Sequence, residues 1–102
     1  MRAMELIPAI KARLDELDQS EGGAVASGRR AAYWRAQQQA ARLDRTIADL
    51  RHYCLESLRS RFLDEEDEND YLRGFRQGFQ AVLEDIRRVE MRAARRGRRA
   101  AG

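Results

Sequence analysis

YLRGFRQGFQAVLEDIRRVE, residues 71–90, decides the fold. Its large apolar residues fall at Phe75, Phe79, Val82, Ile86 and Val89, alternating steps of four and three, which is the spacing of a helix that buries one stripe. Two glycines interrupt it, Gly74 and Gly78. Each costs about 1 kcal/mol relative to alanine in a helix interior, so their presence one turn apart asks for a reason. They form a flat strip flanking Phe75 and Phe79, onto which another backbone or a large side chain can pack closely. Two kinds of occupant fit. Leu55, Leu58 or the first helix of the same chain could fill the strip, or a second subunit or another protein could dock on a face made of Gly74, Gly78, Tyr71 and Phe75. Arg73, Arg76 and Gln77 exclude the membrane reading of the same spacing.

Working outward, the rest of the chain has the same character. At 102 residues it holds one small core, marginal unless long helices pack well or a partner lends surface. Charged residues make up 36% of the sequence and there is a single proline, which points to an all-α protein with solvent-laced helices. The spacing predicts a short helix over about 8–20, with Ile7, Ile10, Leu14 and Leu17 on one stripe. A loop follows over 21–28, with Ser27 as cap. A second helix is predicted over about 28–63 with the stripe Ala36, Ala40, Leu43, Ile47, Leu50 and Cys54, continuing through Leu58 and Phe62, and a third over about 65–96, capped by Asp64, Asp67 or Asn69. Folding the last two back on each other brings Phe75 opposite Cys54, Phe79 opposite Leu50, Val82 opposite Ile47, Ile86 opposite Leu43, Val89 opposite Ala40 and Ala93 opposite Ala36. The expected architecture is a long antiparallel helical hairpin with a short N-terminal helix packed on it.

Charge is segregated along the chain. Six acids occupy the seven residues Asp64–Asp70, whereas residues 87–102 carry seven arginines against the single acid Glu90. That end is +6 and the preceding 86 residues are −3, giving the net +3. In the predicted hairpin Arg29, Arg30, Arg35 and Arg42 lie beside Arg92, Arg95, Arg96, Arg98 and Arg99. The rod then has one basic end, fit for phosphate or an acidic partner, and one acidic tip. Head-to-tail contact between copies is favoured by the same polarity. Tyr33 and Trp34 sit among these arginines. Aromatics there can stack on bases, but in an amphipathic helix Trp34 fits a core or subunit interface better.

Catalytic and metal-ligating patterns are missing from the sequence. His52 and Cys54 lie two apart on a helix and face nearly opposite ways, so they make no dyad. There is no paired-cysteine or His-Glu-x-x-His motif, and no glycine-rich phosphate loop. The acidic run has Phe75 where a calcium loop beginning at Asp64 needs its twelfth-position glutamate. A non-enzymatic protein is expected, without cofactor, metal or small-molecule substrate. A lone cysteine, no basic-then-apolar leader and no long apolar run lead to the expectation of a reducing compartment and no membrane contact.

The stretch DENDYLRGFRQGFQAVLEDI, residues 67–86, resembles short uncharacterised open reading frames of tailed bacteriophages, often found among the head genes. That resemblance implies a virion-associated or accessory role, in the virion or the host cytoplasm, and carries over no functional residue. Three functions are open at this point. One is a structural or assembly protein, present in several copies and docked on a portal or capsid region. Another is a nucleic-acid-binding packaging or regulatory factor that uses its basic end without reading sequence. The third is an accessory that inhibits a host protein.

Overall fold

A computed structural model describes residues 1–19, 22–59 and 69–101. Within them the chain is helical, with a 3-10 turn Ala3–Leu6 leading into α1 (Ile7–Gln19), then α2 (Ala24–Ala40), α3 (Ile47–Arg59) and α4 (Asp70–Ala101). The protein is all-α, with a short N-terminal helix packed on longer ones. No described helix is long and apolar enough to cross a membrane.

Helix boundaries follow local chemistry. Gly23 precedes α2 at φ 141°, a region open to glycine, and its carbonyl accepts the Ser27 N–H at 2.9 Å. Ser27 is therefore inside the first turn and is not the cap. At α4 the cap is Asn69, the last of the three residues expected to serve. Its Oδ1 accepts the Leu72 N–H at 2.9 Å and its carbonyl accepts that of Arg73 at 2.9 Å. Asp64 and Asp67 lie outside the described residues.

The predicted helix over 28–63 is two helices. It breaks over 41–46, and residues 60–63 lie outside the described ones. The reason is a capping box that starts α3: the Thr46 N–H donates to Asp49 Oδ2 at 2.9 Å and the Asp49 N–H donates to Thr46 Oγ1 at 3.1 Å. The N-terminal residues hold the break open. Ala3 N–H donates to the Arg45 carbonyl and Ile47 N–H to the Met1 carbonyl, both at 3.0 Å, around an isolated antiparallel bridge between Arg2 and Thr46. Leu43, expected on the buried stripe opposite Ile86, is 77% exposed in this turn. The hydrogen bonds from Thr46 also hold the Asp49 carboxyl below the usual carboxylate range. A carboxyl depressed on folding stabilises at pH values above its ordinary pKa and loses that contribution as the pH falls toward the folded value. Thr46→Ala is expected to cost about 1 kcal/mol, read as a lower midpoint in urea. A midpoint equal to wild type would contradict the cap.

Splitting that helix changes what packs on what. Asp18 of α1 pairs with Arg30 of α2 at 3.3 Å, and Leu14 and Trp34 line one groove, so these helices are antiparallel. Helix α3 keeps the predicted antiparallel sense against α4: Tyr53 meets Phe79 edge-on at 6.0 Å, and Arg51, earlier in α3, pairs with Glu90, later in α4. Helix α2, in contrast, runs parallel to α4. Val25 lies against Gly74, Gly28 against Tyr71 and Phe75, and Ala32 against Gly78. Continued along both helices, that register brings Ala36 and Ala40 to the turns of Val82 and Ile86, so the expected partners Ala93 and Val89 are replaced. The succession is up-down-up-down, and α2 and α4, which would stand diagonally in a square bundle, are in close contact.

Gly74 and Gly78 are explained by this contact. Gly28, Ala32, Ala36 and Ala40 form a buried small-residue stripe on α2, and Gly74 and Gly78 face it from α4. The strip is occupied within the chain, but by α2 and not by Leu55, Leu58 or the first helix. Around it the core gathers Leu6, Ile10, Leu50, Cys54, Phe79, Val82 and Ile86, all fully buried, with Phe75 edge-on to Phe79 at 4.9 Å. Among the described residues one charged group is buried with them. Asp85, 6% exposed, receives two hydrogen bonds from Arg13, at 2.7 Å from Nε and 2.9 Å from Nη2, and ties α1 to α4. The hydrogen bond to Asp85 holds the Arg13 guanidinium above its ordinary pKa.

Candidate nucleic-acid interface: the arginine arm of α4

Helix α4 is much longer than the helices it packs on, 32 residues against 13 to 17. At 1.5 Å per residue it is about 48 Å long, which accounts for the 50 Å long dimension of the molecule. Its buried stripe runs through Leu72, Phe75, Phe79, Val82 and Ile86, weakens to half-burial at Val89 and Ala93, and ends. Nothing lies within 4 Å of the place a Cβ would occupy at Gly97, so the last turns project from the bundle as a free arm.

The arginines take one side of that arm. At 100° per residue Arg87, Arg88, Arg92, Arg95 and Arg96 fall within half of the helix circumference, roughly opposite the buried stripe, and all five are exposed. Arg98 and Arg99 follow in the same helix, with side chains outside the described ones. Among the described residues, carboxylates do not neutralise this face. Glu90, the one acid of the segment, is paired with Arg51 of α3. Asp85 is held by Arg13 and reaches only Arg88, at 3.8 Å. Arg87, Arg92, Arg95 and Arg96 have no carboxylate partner among the described residues. Arg42 is exposed in the α2–α3 turn, which the parallel register places beside the base of the arm.

The other predicted contact residues are distributed differently. Because α2 is parallel to α4, Arg29, Arg30 and Arg35 lie at the end of the bundle away from the arm, and each is engaged within the chain. Arg29 donates to Gln77 Oε1 from Nε at 2.9 Å and from Nη2 at 2.6 Å, Arg30 pairs with Asp18, and the Arg35 guanidinium sits 5.0 Å from the centre of the Phe75 ring. They do not join Arg92–Arg96 in one basic surface. Gly74, Gly78 and Phe75 are buried inside the chain and cannot form a docking face for another protein. Tyr71 and Trp34 do remain exposed, Tyr71 with its ring stacked beside Phe75 at 6.3 Å. Tyr33 is buried and unavailable for stacking on a base.

Residues that suggested chemistry are also placed. Burial pushes the Cys54 thiol up to about 12, so it stays protonated and inert at neutral pH. His52 is exposed on α3. Among the described residues no group of three or more histidine, cysteine or acidic side chains could hold a metal ion. No family model, curated protein or solved structure matches the chain.

Proposed function

We propose that this chain is a non-enzymatic helical binding protein of a larger assembly, and that its arginine arm docks on the phosphate backbone of nucleic acid without reading sequence. The observation that carries the reading is the arm itself: four arginines, Arg87, Arg92, Arg95 and Arg96, exposed and without carboxylate partners among the described residues, on a helix that outruns its bundle. Arginine forks suit phosphate oxygens, and a row of them on one helix face neutralises several phosphates at once. The resemblance of residues 67–86 to phage head-gene reading frames supports a phage particle as the assembly, with the bundle on its portal or capsid region and the arm toward the packaged genome.

The test compares two variants of equal charge. Arg92→Ala, Arg95→Ala and Arg96→Ala together remove three arm charges. Arg30→Ala, Arg59→Ala and Arg73→Ala together remove three arginines, one half-buried and two exposed, that pair with Asp18, Glu56 and Asp70. With a fluorescent duplex of arbitrary sequence, the arm variant is expected to bind at least about tenfold more weakly in anisotropy titrations and the control to stay within about threefold of wild type. Equal losses would mean that net charge matters and the arm does not. No binding by the wild-type chain to duplex or single strand would end the proposal.

A further inference from the structure

A second surface, away from the arm, bears on how copies of this chain meet. Helices α1 and α2 leave a groove of about 320 Å³ between them, lined by half-buried Leu14 and exposed Trp34. Trp34 is the only tryptophan of the chain and is 53% exposed. Charges of both signs rim the groove: Lys11 and Arg30, Asp15 and Asp18. Lys11, the only lysine, is exposed and has no carboxylate partner among the described residues. Asp18 pairs with Arg30 at 3.3 Å, and its side chain is 67% exposed.

We infer that this groove is the face of a two-fold symmetric dimer, with a second copy of the chain as its occupant. The charge pattern selects that partner. The rim is neutral as a whole, so a strongly acidic or basic protein gains nothing there, whereas an arrangement related to itself by a two-fold axis is satisfied. With the axis passing between Leu14 and Asp15 of two antiparallel α1 helices, Lys11 of each copy faces Asp18 of the other, giving two equivalent ion pairs. Leu14 of each copy then lies across from Asp15 of the other beside the axis, with Trp34 flanking them, an aromatic anchor next to a polar rim. The arm is on the far part of α4 and stays free in both copies.

The experiment uses the full chain without nucleic acid. Sedimentation velocity on wild type is expected to show a monomer–dimer equilibrium within about 1 to 500 µM, the range of a small interface. Trp34 fluorescence should move to shorter wavelength over the same concentrations as the indole leaves water. Lys11→Asp and Asp18→Lys, made separately, place like charges opposite each other twice and are each expected to be monomeric, with helical circular dichroism unchanged. Mixing these two variants in equal amounts restores opposite charges at both positions, and the dimer should return as a heterodimer. A wild-type chain that stays monomeric throughout overturns the proposal and leaves the groove to a different protein. Variants that dimerise like wild type, or a mixture that stays monomeric, overturn it as well.

Discussion

Gly74→Ala is expected to destabilise the protein by about 3 kcal/mol, even though alanine is the better helix former by about 1 kcal/mol. The new Cβ would stand 1.9 Å from the Val25 carbonyl oxygen and 2.7 Å from its carbonyl carbon. Both are backbone atoms of α2, so no side chain can swing aside, and the two helices must part. Gly28→Ala meets the same obstacle from the other side, 1.9 Å from the Tyr71 carbonyl oxygen and 2.6 Å from the Phe75 nitrogen. Gly78→Ala is milder, since its nearest neighbour is the Ala32 side chain at 2.6 Å, followed by the Arg29 carbonyl oxygen at 3.1 Å. In thermal melts followed by circular dichroism the first two variants should lose roughly 12 to 24 °C, as about 4 to 8 °C accompanies each kcal/mol in a domain of this size. Gly97→Ala is the control: with open space around it, it should melt at or above the wild-type temperature. A Gly74→Ala protein that also melts there would contradict the parallel contact of α2 with α4.

Arg13→Ala is the second large effect. It leaves the Asp85 carboxylate buried with Arg88 at 3.8 Å as its remaining cation among the described residues. Breaking a buried pair by removing one partner costs about 3 to 5 kcal/mol, and the 24% exposure of the Arg13 side chain argues for the lower figure. Asp85→Ala should cost less, because the Arg13 guanidinium can turn toward water. The double variant Arg13→Met with Asp85→Leu is expected to recover most of the loss, since it removes the stranded charge and fills the space. Urea unfolding of the two alanine variants and their combination checks the coupling. Losses that add within about 0.5 kcal/mol would mean that the two groups do not depend on each other.

Strong local periodicity is what made parts of this fold legible in the sequence. Phe75, Phe79, Val82 and Ile86 announced α4 and its buried face, and Gly74 with Gly78 announced a close contact somewhere on it. The break before α3 was harder to see because Leu43, Ile47 and Leu50 keep helical spacing across it. The signal that could have shown it is Thr46-x-x-Asp49, a capping box lying inside an apparently continuous stripe. Pairing of Met1 and Ala3 with residues 45–47 has no local signature, since it joins segments more than forty residues apart. The α2–α4 contact was hidden by composition. Gly28, Ala32, Ala36 and Ala40 repeat every four residues, yet alanine and glycine add little to a hydrophobic pattern, and their small size was the informative property. That same error of pairing put Arg29, Arg30 and Arg35 at the wrong end of the molecule. The arm, by contrast, was visible as a run of arginines, and what the sequence could not supply was that Glu90 and Asp85 are taken by Arg51 and Arg13.

The working surface is tested most directly by the salt dependence of duplex binding. Each phosphate neutralised contributes about −0.9 to the slope of log affinity against log salt concentration, so contacts from the five exposed arginines of the arm correspond to a slope of roughly −3 to −5. Measured between low and near-physiological salt, the wild-type chain should fall in that range, and the variant lacking Arg92, Arg95 and Arg96 should be shallower by about 2 to 3. A wild-type slope near zero, or one that the arm variant leaves unchanged, would contradict the assignment of the arm as the phosphate-binding face.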